Sequence, residues 1–185
     1  RLTPSPAQRI EALAALGVSL PAKLAVFCPG AEYGPAKRWP ARHFAALAAA
    51  LAQHGHAVWL LGSAKDRPVG EEILDHAPPG SLPLNLCGAT TLAQAIDLIS
   101  AASLVVCNDS GLMHVAAALD RHVVAVYGSS SPDFTPPLSE KATIISLNLA
   151  CSPCFERQCP LDHLNCLQQL EPQRVLAACL RGVAT

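Results

Sequence analysis

Aromatic residues are scarce in this chain of 185 residues: two Trp, two Tyr and four Phe, 4% of the total. The core therefore has to be built from Ala, Leu, Val and Ile. Charge is scarce as well, at 15% Asp, Glu, Lys and Arg with a formal net charge of −1, and no basic block occurs. Binding to nucleic acid through phosphate neutralisation is thereby excluded as a main activity. No apolar run approaches the roughly 20 residues that cross a bilayer. The opening residues, Arg1 to Pro6 (RLTPSP), carry neither an initiator Met nor the charged-then-apolar pattern of a signal peptide, so the chain reads as a fragment or a processed form. The three-glycine fingerprint of dinucleotide-binding turns is missing too.

What is present suffices for one large domain: 51% of the residues are hydrophobic. Short apolar runs alternate with helical patterns. Strands are expected at Leu24 to Cys28, Ala57 to Leu61, Leu84 to Cys87, Leu104 to Cys107, Val123 to Tyr127 and Thr143 to Leu147. Helices are expected at Ser5 to Leu16 (with Ile10, Leu13 and Leu16 on one stripe and Gly17 as the stop), Ala41 to His54, Arg67 to His76, Thr91 to Ala101 and Leu112 to Leu119. Strands that alternate with helices imply an α/β fold with a parallel sheet. Continuous apolar strands imply cover on both faces. The least regular region is Ser129 to Leu170.

The segment Asn108-Asp109-Ser110-Gly111-Leu112-Met113-His114 carries the most chemistry. It places a tight polar turn between a buried strand and a helix, at the sheet edge where open α/β folds bind ligands. The first amides of a helix are unpaired and its dipole end is positive, so an anion is favoured there. Asp109 and His114 are the reactive or orienting candidates. The plain alternatives are a helix cap for Asp109 and an ordinary helix histidine for His114. Three other strand-end loops are polar. Pro29 to Pro40 holds Lys37 and Arg38 before a helix start, with Gly30 and Gly34 allowing close backbone approach. Gly62 to Asp66 offers Asp66 to a ribose, or merely as a helix cap. Gly88 to Thr91 offers Thr90, although capping explains its hydroxyls adequately.

Eight cysteines are present. Cys28, Cys87, Cys107 and Cys179 stand singly in apolar stretches and read as small buried hydrophobes. Cys151, Cys154, Cys159 and Cys166 follow C-x2-C-x4-C-x6-C, and His163 is a substitute ligand. Four thiolates suit a structural zinc ion or an iron–sulfur cluster that would staple the irregular segment without doing chemistry. Free thiols are the competing reading. The compartment is read as reducing.

The strings PGAEYGPAKRWP, LLGSAKD, NDSGLMHVAAAL and YGSSSPDFTPPLS, in this order, closely resemble the lipopolysaccharide heptosyltransferases of glycosyltransferase family 9. The resemblance runs from about Leu24 to the C-terminus. It implies a Rossmann-like parallel sheet with helices on both faces, forming the C-terminal half of a GT-B glycosyltransferase. Residues 1–22 would then be a linker helix from an N-terminal domain missing here. Residues 23–185 would be the nucleotide-sugar-binding domain, with the Cys-rich loop 150–168 and a C-terminal helix. The implied donor is ADP-heptose and the implied acceptor is the lipopolysaccharide inner core, reached through the other domain, which would supply the base. Carried over by motif, Lys37 contacts the diphosphate, Asp109 holds heptose hydroxyls, and the Ser110-Gly111-Leu112 backbone meets the phosphates. His114 supports that turn, Thr90 lies near the adenine, and Asp66 is the ribose candidate. No catalytic cofactor is implied. The expected location is cytoplasmic, with peripheral association at the inner membrane. The Cys cluster is not explained by the resemblance.

Overall fold

In the computed structural model, residues 2–183 are described. Arg1, at the start of the expected linker segment, and Ala184 and Thr185, at the end of the expected donor domain, lie outside the described residues. Six parallel strands form one sheet: β1 (Leu24–Cys28), β2 (Ala57–Leu60), β3 (Leu84–Asn85), β4 (Leu104–Asn108), β5 (His122–Val126) and β6 (Ala142–Ile145). Their order is β3-β2-β1-β4-β5-β6. The order reverses between β1 and β4, where Cys28 is aligned with Cys107. A crevice opens at such a reversal, because successive crossovers leave on opposite faces.

The apolar strands divide their side chains between two cores. Ala25 and Phe27 of β1, Leu104 and Val106 of β4, and Val124 and Val126 of β5 point to one face. Leu24, Val26, Val105, Cys107, Val123 and Ala125 point to the other. All twelve are buried, which is why the strands carry no polar alternation. The first face is covered by α2 (Ala41–Gln53), α3 (Arg67–His76), α6 (Asn165–Gln168) and α7 (Pro172–Val183). The second is covered by α1 (Pro6–Leu16), α4 (Leu92–Ala101) and α5 (Gly111–Ala118). The expectation of helices on both faces is met.

Helix ends follow their sequence signals. Ser5 and Thr91 open α1 and α4 through capping boxes closed by Gln8 and Gln94. Gly17 ends α1 in the left-handed conformation at φ 64°, which an L side chain adopts only at a cost. Three expectations are corrected. Ile10 is 67% exposed, while Ala12, Leu13 and Leu16 face the core, because α1 docks beside α4 through a narrow stripe. β3 covers only Leu84–Asn85. The amide of Leu86 still donates to the carbonyl of Leu60 at 2.9 Å, while the side chain of Asn85 accepts from the amide of Cys87 and donates to the carbonyl of Arg67. β6 stops at Ile145 rather than Leu147.

Candidate functional site

Asn108 ends β4 and ties the two sides of the crevice together. Its side chain is fully buried. Its amide nitrogen donates to the carbonyl of Pro29 at 2.7 Å, and its oxygen accepts from the backbone amide of Trp39 at 3.0 Å. The loop after β1 is thus fixed at both ends by one side chain. Trp39 is 1% exposed and donates its indole N–H to the carbonyl of Leu170. Between these anchors the loop presents Lys37. Its Nζ donates to Oδ2 of Asp109 at 2.6 Å, and the two side chains are only 15% and 5% exposed. Nζ also lies 5.0 Å from the centre of the Tyr33 ring. The structure therefore brings Lys37 and the Asn108 to His114 turn together.

Ser110 stands at the N-cap of α5 in an extended conformation, but its side chain makes no capping bond. Its hydroxyl is buried and has no hydrogen-bond partner among the described residues, an arrangement that costs free energy unless something else uses the group. The first amides of α5, Gly111 and Leu112, have no acceptor within the helix by construction. His114 is exposed on α5. Among the described residues no hydrogen bond or ion pair holds its ring.

Two hollows flank this turn. The larger, about 480 Å³, runs over the ends of β1, β2 and β4. Asp66, Thr90, Ser110, Gly111 and Leu112 all line it, with Leu92, Ala95 and Val115 giving an apolar wall. The smaller, about 160 Å³, lies on the other side and is lined by Tyr33, Lys37, Ser130, Ser131, Thr135 and the rings of Phe134 and Phe155. Those two rings meet edge-on at 5.4 Å between centres. The hydroxyl of Ser130 is buried without a hydrogen-bond partner among the described residues. Tyr33, Phe134 and Phe155 were not singled out in the sequence. Exposed aromatics in a chain this poor in them were the available signal.

Asp66 faces the larger hollow, but its carboxylate is already engaged. Oδ2 accepts from both the amide and the hydroxyl of Ser63 at 2.8 Å, closing the short turn 64–66 that leads into α3. A Cβ on Gly30 would stand 2.2 Å from Asp66 Oδ1, and one on Gly34 would stand 2.6 Å from the carbonyl oxygen of Arg157. These glycines therefore make room for other parts of the protein, where the sequence suggested room for a ligand. Thr91, not Thr90, caps α4, which leaves Thr90 in the wall of the hollow. Glu32, unforeseen in the sequence, also lines it. Its carboxyl lies below the ordinary range because Lys65 donates a hydrogen bond to it, and the charge of Lys65 adds to the effect. The Cys28 thiol on the floor is pushed well up by burial and by Cys107, Cys87 and Asp66.

The single cysteines Cys28, Cys87, Cys107 and Cys179 are all buried, as expected, and all eight cysteines are free. Cys151, Cys154, Cys159 and Cys166 meet around one small void of about 20 Å³, with His163 beside them. Burial pushes the Cys166 thiol up to about 11, and its neighbours Cys151, Cys154 and Cys159 act in the same direction. The Cys159 thiol is lowered, first by the amide of Leu164 and also by those of Leu161 and His163.

The sheet order and the crevice at the reversal define a Rossmann-like α/β domain with its candidate site at the carboxyl edge. The family model for glycosyltransferase family 9 (heptosyltransferase) matches residues 2–165, and the chain belongs to that family. Among curated relatives, the lipooligosaccharide heptosyltransferase 2 of Haemophilus influenzae is 53% identical over 155 residues, covering 79% of this chain and 44% of its own. The lipopolysaccharide heptosyltransferase 2 of Salmonella typhimurium is 52% identical over 152 residues, covering 81% and 44%. The solved structure of E. coli ADP-heptose lps heptosyltransferase II superposes with a TM-score of 0.87 at 44% identity, over 100% of this chain and 53% of that one. The chain thus spans about half the length of these relatives or less.

Proposed function

We propose that this chain is the donor-binding part of an inverting heptosyltransferase. The reaction is transfer of L-glycero-D-manno-heptose from ADP-heptose to the inner core of lipopolysaccharide. In this reading residues 23–185 are the donor domain and residues 1–22 the entering linker of a two-domain GT-B enzyme. The acceptor and the base that deprotonates its hydroxyl belong to the other domain. The observation that carries the reading is the 2.6 Å pair of Lys37 with Asp109 beside the start of α5. The names of the relatives in the same family support it.

The two hollows suggest how the donor lies. Adenosine occupies the larger one, with its base between Leu92 and Val115 near Thr90 and its ribose toward Asp66 and Glu32. The diphosphate crosses at Ser110, where the Ser110 hydroxyl and the amides of Gly111 and Leu112 meet it. Lys37 reaches the same oxygens from the far side. The heptose enters the smaller hollow, where Ser130 meets its hydroxyls and Asp109 is reached behind its partner Lys37. As the glycosidic bond breaks, the sugar becomes oxocarbenium-like and ADP gains negative charge. Lys37 and the helix-start amides are fixed in advance where that charge grows, which is the condition for electrostatic catalysis. This assignment leaves no step that calls for a cofactor.

No helix among the described residues is long and apolar enough to cross a membrane. A cytoplasmic site of action, with peripheral contact at the inner membrane where the acceptor lies, is part of the same proposal. Calorimetry of the folded chain tests the reading. ADP is expected to bind weakly and UDP more weakly still, with no heptose transfer by the chain alone. A folded chain that binds neither nucleotide, or that prefers UDP, would overturn it.

A further inference from the structure

Residues 146–164 form neither helix nor strand. Most side chains from Cys151 to His163 are exposed or half-buried, so little apolar burial holds this stretch. Yet its backbone is demanding. Asn148, Phe155, Asp162 and Leu164 all have positive φ, between 49° and 59°. At Phe155 and Leu164 that conformation is strained for a bulky side chain and persists only where the surroundings enforce it. The loop also grips the site. The carbonyl of Arg157 accepts from the amide of Ala36 at 3.1 Å, and the carbonyl of Phe155 accepts from the Tyr33 hydroxyl. The amide of Phe155 donates to the carbonyl of Ser129 at 2.7 Å. The residues leading into Lys37, Tyr33 and Ala36, are thus fastened to a segment with no core of its own.

What converges inside that segment is sulfur. The side chains of Cys151, Cys154, Cys159 and Cys166 line one void, which adjoins Ala36. The amide of Leu164 donates to Cys159 Sγ at 3.3 Å, an interaction that stabilises a thiolate and orients a metal-bound sulfur. His163 has its Nδ1 occupied by the amide of Asn165. Among the described residues no three metal-binding side chains already stand as a closed group. Closing it requires the four sulfurs to rotate into the shared void, to about 2.3 Å from an ion.

We propose that Cys151, Cys154, Cys159 and Cys166 bind one thiophilic divalent ion, zinc in the first instance, and that this staple fixes the loop carrying Lys37. Four thiols lose four protons and form four metal–sulfur bonds, with no change in oxidation state. The closed tetrahedral shell leaves no position for a substrate, so the ion is structural. The proposal stands apart from the identity of the sugar nucleotide.

The test uses the reduced chain, with its metal first removed by a chelator and then titrated with Co²⁺ and with Zn²⁺. One Co²⁺ per chain is expected, with the intense thiolate charge-transfer and visible bands of a tetrahedral four-sulfur site, displaced by Zn²⁺. Hydrogen exchange at residues 34–37 is expected to slow several-fold on Zn²⁺ binding. Cys151→Ser and Cys154→Ser, each checked for its fold by circular dichroism, should weaken Co²⁺ binding at least tenfold and abolish the four-sulfur spectrum. A folded, reduced wild-type chain that takes up neither ion would overturn the proposal. So would a Co²⁺ spectrum without thiolate bands, or a bound ion that leaves exchange at residues 34–37 unchanged. An oxidised native chain with a Cys151–Cys154 disulfide would also contradict it.

Discussion

Asn108 shows how much a single buried side chain decides. It satisfies the carbonyl of Pro29 and the amide of Trp39 at once, and so sets where Lys37 emerges. Asn108→Ala leaves both groups buried and unpaired, at about 1–3 kcal/mol each. We expect a loss of about 2–4 kcal/mol in urea denaturation, with weaker ADP binding because the Lys37 loop is released. An Asn108→Ala variant as stable as the wild type would show that the loop is held elsewhere. Lys37 was legible from its place before a helix start, but its partner was not. That Asp109 would meet it depends on which strand lies beside β1, and strand order is not written in local sequence. Asp66 was legible as an acid at a strand end. Its engagement with Ser63 was foreshadowed by the Ser-x-x-Asp spacing, which reads as a cap.

Elements were read most reliably where two signals agreed. α3 falls on Arg67–His76 as expected, and α1 opens at Ser5 and closes at Gly17, because caps and apolar spacing point the same way. β3 was overextended because an apolar Leu86-Cys87 pair reads as strand. The residues are indeed buried, and the amide of Leu86 still reaches the carbonyl of Leu60, but regular strand pairing stops at Asn85, and the amide of Cys87 turns to the Asn85 side chain. The segment from Ser129 to Leu170 gave little, since neither helical nor strand periodicity governs it. Its tertiary bonds to residues 33–36 join positions over a hundred residues apart. At this scale the capping box of α4 is testable. Thr91→Ala removes the acceptor for the amide of Gln94 and should cost about 1 kcal/mol, read as a lower thermal midpoint.

The whole molecule is a sheet sealed on both faces, and its buried histidines give stability a pH dependence. His43 and His56 are 6% and 7% exposed. Burial lowers both, aided at His43 by the charge of Arg42 and at His56 by that of Lys23. The unfolded chain therefore takes up protons that the folded one refuses. Their contribution is intact above the unfolded value of about 6.5 and is lost as pH falls below it toward the depressed folded values. Thermal midpoints should fall between pH 7 and pH 5, and the His43→Gln, His56→Gln double variant should show a flatter slope. An unchanged slope would place the pH sensitivity in the carboxylates.

The central claim is that Lys37 and the start of α5 together hold a diphosphate. The most direct measurement compares the affinities of ADP and AMP for the wild-type chain and for Lys37→Met, with AMP as an internal check that the adenosine hollow is intact. A charge-assisted hydrogen bond contributes about 1.5–3 kcal/mol, and about 1.4 kcal/mol is tenfold in affinity. The wild type should prefer ADP, and Lys37→Met should lose that preference by roughly 10- to 100-fold while keeping most of its affinity for AMP. Equal preference for ADP in both proteins would contradict the account.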